Sequence, residues 1–440
     1  MRPTMQASPQ RPSSPPRARL ALAGALLGML AWLPAAAAAA APSTWVSAWM
    51  AAPQRVPQGP GVPAYRRPPP LRQQTLREIV VPQLSGERLR VRISNRYGDR
   101  PLRIDAATVG LVAHDAALRA NSLHVLRFDG HAQVLVAPHR AVWSDPLDAP
   151  VRAGRALAIS LYLPQAVVAS TWHVLAGQVQ FVSVRGDHAA DPGGGAYAQR
   201  MTSWLWLDRL DVGSAAGAGA LLAIGDSITD GMRSTLNARR SWPQQLGARL
   251  RADGIEHLAV LDAGISGNRL LSDSACWGDS LESRFARDAL QPDGVRAVVL
   301  LIGINDIDFA ATPPRQGLDC DAPHRLVHVA QLERALARLA GLAHARGLRV
   351  YGATLTPADL PPSRESQRLR LNAWIRACRD FDGVIDFDAA LRDPRQPSRM
   401  LARLDSGDHL HPSDAGYAAM AAAALPVALR EARLGSSRQP

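Results

Sequence analysis

The sequence predicts an α/β domain built on a parallel sheet, preceded by a β-sandwich domain of jelly-roll type. From Trp45 to about Arg185, apolar and polar residues alternate at a period of two, and glycine, proline and Asn/Asp separate the runs. Beyond Leu221, near-continuous apolar runs alternate with segments whose apolar residues recur at helical spacing. The second pattern is typical of parallel strands that helices cover on both faces.

These patterns divide the chain into four parts. We expect a signal peptide over residues 1–41, because arginines precede an apolar run at residues 20–33 and an alanine-rich stretch. That run is shorter than the ~20 residues that span a bilayer, so it favours cleavage and export over a membrane anchor. We therefore expect a secreted or periplasmic protein. The β-sandwich domain follows at residues 42–200, a Gly/Ala-rich linker at 201–220 and the α/β domain at 221–435.

Apolar periodicity and turn residues predict the elements within each domain. In the first domain, strands are predicted at residues 76–81, 87–94, 102–112, 125–128, 132–136, 157–163 and 179–184. In the second domain, strands are predicted at residues 221–224, 258–262, 297–302, 349–354 and 384–387. Helices are predicted at residues 241–252, 281–290, 327–345, 365–379 and 413–429, the last with Ser413 as its cap.

The net charge of +12 does not indicate a nucleic-acid-binding protein. The chain contains no lysine, so its positive charge comes from arginine in a composition that is also rich in alanine. Outside the leader these arginines form no cluster, and aromatic residues do not alternate with them. We therefore expect no nucleic-acid partner.

Cysteine usage is consistent with an oxidising compartment. Cys276 and Cys320 lie in loop-like sequence, whereas Cys378 falls on a predicted helix. We expect the first two to form a disulfide and Cys378 to be a small buried apolar residue. No Cys/His spacing resembles a zinc site, so we expect no metal.

Polar residues follow three of the predicted parallel strands, at the edge where open α/β sheets place their ligands. Ser227 follows the first strand, Gly267 the second and Asn305 the third, and a fourth motif containing Asp408 and His411 precedes the last helix. Acyl transfer needs a nucleophile, a base and a group that orients the base. Ser227, His411 and Asp408 could supply these three parts.

Acyl transfer also needs donors for the developing oxyanion. The backbone N–H groups of Ser227 and Gly267 and the side-chain amide of Asn305 could supply them. Each motif alone also has a structural explanation, because serine and Asp-x-x-His cap helices and Gly-x-Asn-Asp forms turns. His409 is a competing imidazole that we expect to point elsewhere. The occurrence of all four motifs in chain order favours catalysis.

The four motifs match sequence blocks of the SGNH/GDSL hydrolase superfamily, which residues 221–429 therefore resemble. The matching segments are Gly225-Asp226-Ser227, Gly267, Gly303-Ile304-Asn305-Asp306 and Asp408-His409-Leu410-His411-Pro412. The resemblance implies a flavodoxin-like three-layer domain and a serine esterase without an organic cofactor. Two stretches resemble one subgroup of this superfamily, residues 92–102 in the first half of the chain and residues 350–357 in the second half. Members of this subgroup are secreted bacterial proteins related to a xylanase-associated protein predicted to be an esterase.

We expect a secreted serine esterase that forms an acyl-enzyme on Ser227, with acetyl or other short acyl groups on carbohydrate as substrates. Small-molecule or polysaccharide esters would be its partners, without stable membrane insertion. A lipase or phospholipase-like acylhydrolase and a non-catalytic carbohydrate-binding protein remain alternatives. Trp242, Trp277 and Trp374 could stack on a sugar, but Trp242 and Trp374 lie on predicted helices and are expected to pack.

Overall fold

A computed structural model of the chain describes residues 44–59 and 61–436. The signal peptide predicted over residues 1–41 lies outside the described residues and stays a prediction.

The first half of the described chain consists of short, largely antiparallel strands. In chain order they are β1 (Thr44–Met50), β2 (Gln54–Arg55), β3 (Gln74–Val80), β4 (Arg88–Ser94), β5 (Leu102–Ile104), β6 (Ala106–His114), β7 (Ala117–Leu118), β8 (His124–Val125), β9 (Val134–Val136), β10 (Ala141–Trp143), β11 (Leu157–Leu163), β12 (Thr171–His173), β13 (Gln180–Arg185), β14 (Gln199–Met201), β15 (Trp204–Leu205) and β16 (Leu207–Ser214). Strand β4 shows why they form, because Leu89, Val91 and Ile93 are buried while the intervening arginines reach solvent.

These strands pair into several sheets. One sheet has the order β1-β16-β4-β10 and another the order β14-β13-β3-β11-β6-β7, with β8 also beside β6. Strands β15, β12 and β2 form a third sheet, and β5 pairs with β9. The prediction of a β domain ahead of the α/β domain is confirmed.

The linker predicted over residues 201–220 is not what the structure shows. Residues 207–214 form β16, which is buried along its whole length between β1 and β4. The linker prediction rests on residues 211–219, which are rich in glycine and alanine, but the buried strand also contains the carboxylates of Asp208 and Asp211. Each of these carboxylates forms a salt bridge inside the sheet, Asp208 with Arg92 at 3.1 Å and Asp211 with Arg90 at 3.0 Å.

The second half of the described chain is a three-layer α/β domain. Its parallel sheet has the order β18-β17-β19-β20-β21, formed by β17 (Gly219–Gly225), β18 (Leu258–Gly264), β19 (Val295–Leu301), β20 (Arg349–Ala353) and β21 (Gly383–Ile385). The helices are α1 (Ser227–Asp230), α2 (Trp242–Ala252), α3 (Leu281–Asp288), α4 (Ile304–Asp308), α5 (Val329–His344), α6 (Pro362–Ala377), α7 (Phe387–Leu391) and α8 (Asp414–Ser436). A small antiparallel pair, β22 (Arg392–Asp393) and β23 (Gln396–Met400), precedes α8.

The helices lie in two layers, as the resemblance implied. Helix α2 packs against α8, whereas α5 packs against both α3 and α6. The strand order places β18 on one side of β17 and β19 on the other, so the chain changes direction across the sheet at β17. Ligands of such sheets bind at this switch point, outside the carboxyl ends of the strands.

One hydrophobic core runs through both halves of the described chain. It extends from Val46 in β1 to Ala432 in α8. Strand β1 packs against β17 and the edge strand β18, and the Ser47 N–H donates to the carbonyl oxygen of Asp293 at 2.9 Å. Because the core is shared, we expect the β domain and the α/β domain to unfold together.

The buried strand β16 predicts the effect of a core truncation. Leu210→Ala removes a fully buried side chain and should lower the free energy of unfolding by about 2–5 kcal/mol in urea titrations. Leu135→Ala is the control, because Leu135 is 63% exposed and its loss should change stability by less than about 0.5 kcal/mol. Equal stability of the two variants would contradict the placement of residues 207–214 in the core.

Candidate active site

Ser227 stands in a tight turn at the carboxyl end of β17. It is the first residue of α1, and Asp226 caps this helix by accepting the Ile228 N–H at 3.0 Å. The strand ends in Gly225, where a Cβ atom would lie 2.1 Å from the carbonyl oxygen of Leu301. Only glycine therefore allows β17 and β19 to approach each other so closely just before the serine.

Ser227, His411 and Asp408 form a continuous chain of hydrogen bonds. The Ser227 Oγ lies 2.8 Å from His411 Nε2, and His411 Nδ1 lies 2.8 Å from Asp408 Oδ2. A carboxylate can only accept, so Nδ1 carries the proton and Nε2 is free to accept from the serine hydroxyl. His409 takes no part, because its Nδ1 contacts Asp405 at 2.7 Å instead.

Asp408 is held as a carboxylate. Partial burial alone would raise its pKa, but the N–H groups of His411 and Leu410 and the His411 ring donate to it, and the pKa falls well below its usual range. Arg233 adds a salt bridge to Asp408 Oδ2 at 3.0 Å. Asp408 can therefore orient the imidazole and stabilise an imidazolium across the neutral pH range.

The loops after β18 and β19 carry further hydrogen-bond donors at the same edge of the sheet as Ser227. Gly267 follows β18 with φ +75°, a conformation that favours glycine. Asn305 lies in α4 and is buried, and its Nδ2 donates one hydrogen to the carbonyl oxygen of Asn268 at 2.9 Å. This bond orients the amide, and no acceptor for its second N–H lies in the part of the chain that the structure describes. Within residues 44–59 and 61–436, the N–H groups of Ser227 and Gly267 have no hydrogen-bond acceptor.

Two buried carboxylates hold these turns. Asp306 accepts the N–H groups of Leu270 and Leu271 at 2.7 and 3.0 Å and so fixes the loop that follows Gly267. Burial raises the pKa of Asp306 to about 6 and that of Asp226 to about 7.

Arg284 is a residue of the site that the sequence analysis missed. It is fully buried in α3, and its guanidinium donates to the carbonyl oxygens of Gly225 at 2.8 Å and Ala263 at 2.9 Å. It also donates to Asn268 Oδ1 at 3.0 Å, and Asp288 balances its charge. Arg284 thus joins the ends of β17 and β18. Its only sequence signal is the i,i+4 spacing to Asp288, which is typical of an exposed helix pair.

Trp277 and Phe309 form an aromatic wall beside Gly267. The ring of Trp277 lies so close that a Cβ atom on Gly267 would be 2.2 Å from Trp277 Cδ2. The guanidinium of Arg66 lies 3.9 Å from the centroid of the Trp277 ring, and Phe309 stacks beside it at 6.3 Å. Trp277 Nε1 donates to Asp321 Oδ1 at 3.3 Å.

A disulfide supports this wall. Cys276 and Cys320 are bonded, which confirms the predicted pairing and ties Trp277 to the loop that contains Asp321. Cys378 is unpaired but only half-buried, because it follows the last residue of α6 rather than lying within the helix.

The other two tryptophans considered for sugar stacking pack inside the protein. Trp242 is fully buried against Phe387. Trp374 packs edge-on against Phe381. These positions confirm the expected packing, and Trp277 is the tryptophan of the three that borders the site.

The second half of the chain matches a known family. Residues 223–419 match the model of the GDSL-like lipase/acylhydrolase family. The carboxyl-terminal part of this chain is a GDSL-like acylhydrolase domain. Its first turn, Gly225-Asp226-Ser227, and its last motif, Asp408 to His411, both lie within the matched residues.

Solved structures of similar proteins correspond to about half of the chain. A GDSL-like lipase from Bacteroides thetaiotaomicron VPI-5482 is 18% identical, covering 48% of this chain and 88% of its own, with a TM-score of 0.34. Axe2, an acetyl xylan esterase from Geobacillus stearothermophilus, is 23% identical, covering 49% of this chain and 96% of its own, with a TM-score of 0.37. No curated protein matched the chain.

Two further findings concern membrane-spanning helices and metal sites in the described residues. In residues 44–59 and 61–436, no helix is both long enough and apolar enough to cross a membrane. No group of three or more His, Cys, Asp or Glu side chains in the same ranges could hold a metal ion.

Substitution of the buried Arg284 should lower stability, whereas substitution of a surface arginine should not. Arg284→Lys keeps the charge beside Asp288 but cannot reach all three acceptors, so the free energy of unfolding in urea titrations should fall by about 2–4 kcal/mol. Arg338→Lys is the matched control, because Arg338 pairs with Glu282 on the surface, and it should change stability by less than about 0.5 kcal/mol. Two equally stable variants would contradict the role of Arg284 at the strand ends.

Proposed function

We propose that this chain is a secreted serine esterase that hydrolyses carboxylic esters through an acyl-enzyme on Ser227, with acetyl or other short acyl groups on carbohydrate as its substrates. The observation that carries the proposal is the chain of 2.8 Å contacts from Ser227 Oγ through His411 to Asp408. Membership of the second half in the GDSL-like acylhydrolase family supports the reaction class.

In the first step, Ser227 becomes acylated. His411 Nε2 takes the proton of the serine hydroxyl as Oγ forms a bond to the ester carbonyl carbon. The carbonyl oxygen becomes an oxyanion, which the N–H groups of Ser227 and Gly267 and the free N–H of Asn305 would bind. The bond to the alcohol oxygen then breaks, and His411 gives its proton to that oxygen.

In the second step, water releases the acid. His411 takes a proton from water as the water oxygen attacks the acyl carbonyl carbon, and the same donors bind the second oxyanion. The bond between the carbonyl carbon and Ser227 Oγ breaks, and Oγ regains the proton from His411. Asp408 keeps the imidazole in the required tautomer throughout, since it stays ionised.

The wall beside Gly267 supports a short acyl group and a sugar alcohol. The Trp277 ring lies directly against the glycine of the oxyanion site, which limits the room beside the reacting carbonyl. Arg66 and Asp321 border the ring, and charged hydrogen-bonding groups beside an aromatic ring suit the hydroxyls of a sugar. The disulfide supports export, because such bonds persist in oxidising compartments.

Mutation of the hydrogen-bonded chain tests the reaction class. Ser227→Ala and His411→Ala should each reduce turnover of aryl acetate by about 10⁴-fold or more, because nucleophile and base act as a unit. His409→Asn is the control, since His409 lies two residues away, contacts Asp405 and has a positive φ that asparagine accepts. It should retain turnover within about twofold. Full activity of His411→Ala would contradict the assignment of the base.

Asn305→Ala tests the proposed oxyanion donor separately. Loss of one such donor costs about 3 kcal/mol in the transition state, so kcat should fall about 100-fold or more with little change in KM. Steady-state kinetics on aryl acetate measure both constants. Turnover within about twofold of the natural chain would remove Asn305 from the proposed site.

Substrate choice is tested by comparing acetylated xylan with aryl esters of increasing acyl length. We expect acetate release from xylan, and kcat/KM should fall beyond short acyl groups because Trp277 limits the space. A rise of kcat/KM with chain length would favour the lipase-like alternative. Binding of xylan without turnover of any ester would favour the non-catalytic alternative.

A further inference from the structure

His173 of the β domain contacts the helix that begins with Ser227. His173 is the last residue of β12, and its side chain is only 5% exposed. It approaches Asp230, the last residue of α1, which begins with Ser227. His173 Nε2 lies 3.1 Å from Asp230 Oδ1, and the Asp230 side chain is 4% exposed.

The surroundings of His173 require both ring nitrogens to donate. Nδ1 lies 2.9 Å from the carbonyl oxygen of Ala52, and Nε2 lies 3.1 Å from the carbonyl oxygen of Leu175 as well as facing Asp230. All three partners are acceptors, so the ring satisfies them only as an imidazolium. Burial lowers the pKa of His173, but Asp230, the carbonyl oxygen of Ala52 and Asp262 together outweigh burial, and the pKa is raised overall.

Asp230 connects His173 to the loop that precedes Gly267. Its Oδ2 accepts the backbone N–H of Ser266 at 2.8 Å and the Ser266 hydroxyl at 2.7 Å. Ser266 is the residue directly before Gly267. Asp230 therefore holds the helix of the nucleophile and the loop of an oxyanion donor in one buried contact.

Other acidic groups lie near Asp230 and favour a cation at His173. Asp262 of β18 lines the same cavity of about 40 Å³, and burial followed by repulsion from Asp230 raises its pKa to about 7. Tyr417 of α8 also faces these acids, and its hydroxyl donates to the carbonyl oxygen of Met232 at 2.7 Å. Among the cations of residues 44–59 and 61–436, His173 is the one that contacts Asp230, so its loss would leave the buried Asp230 carboxylate without a counter-charge.

We propose that His173 is a positioning residue of the esterase. Its imidazolium fixes Asp230, and Asp230 fixes Ser266, so that the Gly267 N–H is directed at the oxyanion formed on Ser227. This inference rests on the proposed function and adds that the β domain is part of the catalytic machinery. It also predicts a pH dependence: the contact is present at low pH and is lost as pH rises through the raised pKa of His173.

The first test is kinetic. His173→Gln keeps a side chain of similar reach but removes the charge, and we expect kcat on aryl acetate to fall about 10–100-fold with KM within about twofold. The alkaline decline of kcat in the natural chain should be absent from this variant. Ser47→Ala is the matched control, because Ser47 is equally buried in the β domain and bonds to Asp211 and the Asp293 N–H, away from Ser266. It should lose stability and keep kcat.

A double-mutant cycle tests whether His173 acts through Asp230. If it does, His173→Gln combined with Asp230→Asn should lower kcat no further than the more damaging single change. If the two substitutions instead lower kcat by the product of their separate effects, His173 does not act through Asp230, and the proposal is overturned. A kcat of His173→Gln within twofold of the natural chain, at a temperature where both are folded, would overturn the positioning role itself.

Amide hydrogen exchange separates this inference from the proposed function, because it needs no ester hydrolysis. In His173→Gln, the peptide containing Ser266 and Gly267 should exchange about 10-fold faster or more, whereas in Ser47→Ala it should not change. If the variant does not fold, the natural chain should show the same acceleration at alkaline pH, beyond intrinsic base catalysis. Unchanged protection of Ser266 overturns the inference. A natural chain that is inactive on every ester overturns the proposed function, whatever the exchange result.

Discussion

The geometry of the site depends on the buried guanidinium of Arg284. It binds the last carbonyl groups of β17 and β18, at Gly225 and Ala263, and also the side chain of Asn268. The turns that follow these strands carry Ser227 and Gly267, so Arg284 helps to set the spacing between these two residues. A positive charge can be buried there because Asp288 pairs with it at 3.1 Å.

The β domain takes part in this arrangement rather than lying beside it. The core is continuous across the two halves of the described chain, and β1 covers the edge strand β18 of the parallel sheet. From this shared surface, His173 reaches Asp230, and Tyr97 reaches Asp279 at 2.7 Å. An enzyme that needs fixed donors for an oxyanion benefits from such support, because preorganised donors do not have to reorient during the reaction.

The sequence predicted the elements and groups that depend on local patterns. Ser227, Gly267 and Asn305 follow apolar strands, and parallel strands end at one edge, so their proximity could be inferred. The linker prediction failed because glycine and alanine in residues 211–219 suggest a flexible segment, whereas residues 207–214 pair with β1 and β4, and arginines of β4 balance Asp208 and Asp211. Arg284, Asp230 and His173 were missed for a related reason, since each acts through partners that only the folded chain brings together.

If Ser227 carries the acyl group during turnover, the acyl-enzyme can be trapped, and trapping it is the most direct test of the proposed reaction. The protein would be mixed with aryl acetate, quenched in acid within the first turnovers, digested and analysed by mass spectrometry. We expect one acetyl group on the peptide containing Ser227 and none on the same peptide of Ser227→Ala. Ester hydrolysis that proceeds with the acetyl group on another residue, or at full rate in Ser227→Ala, would contradict the account.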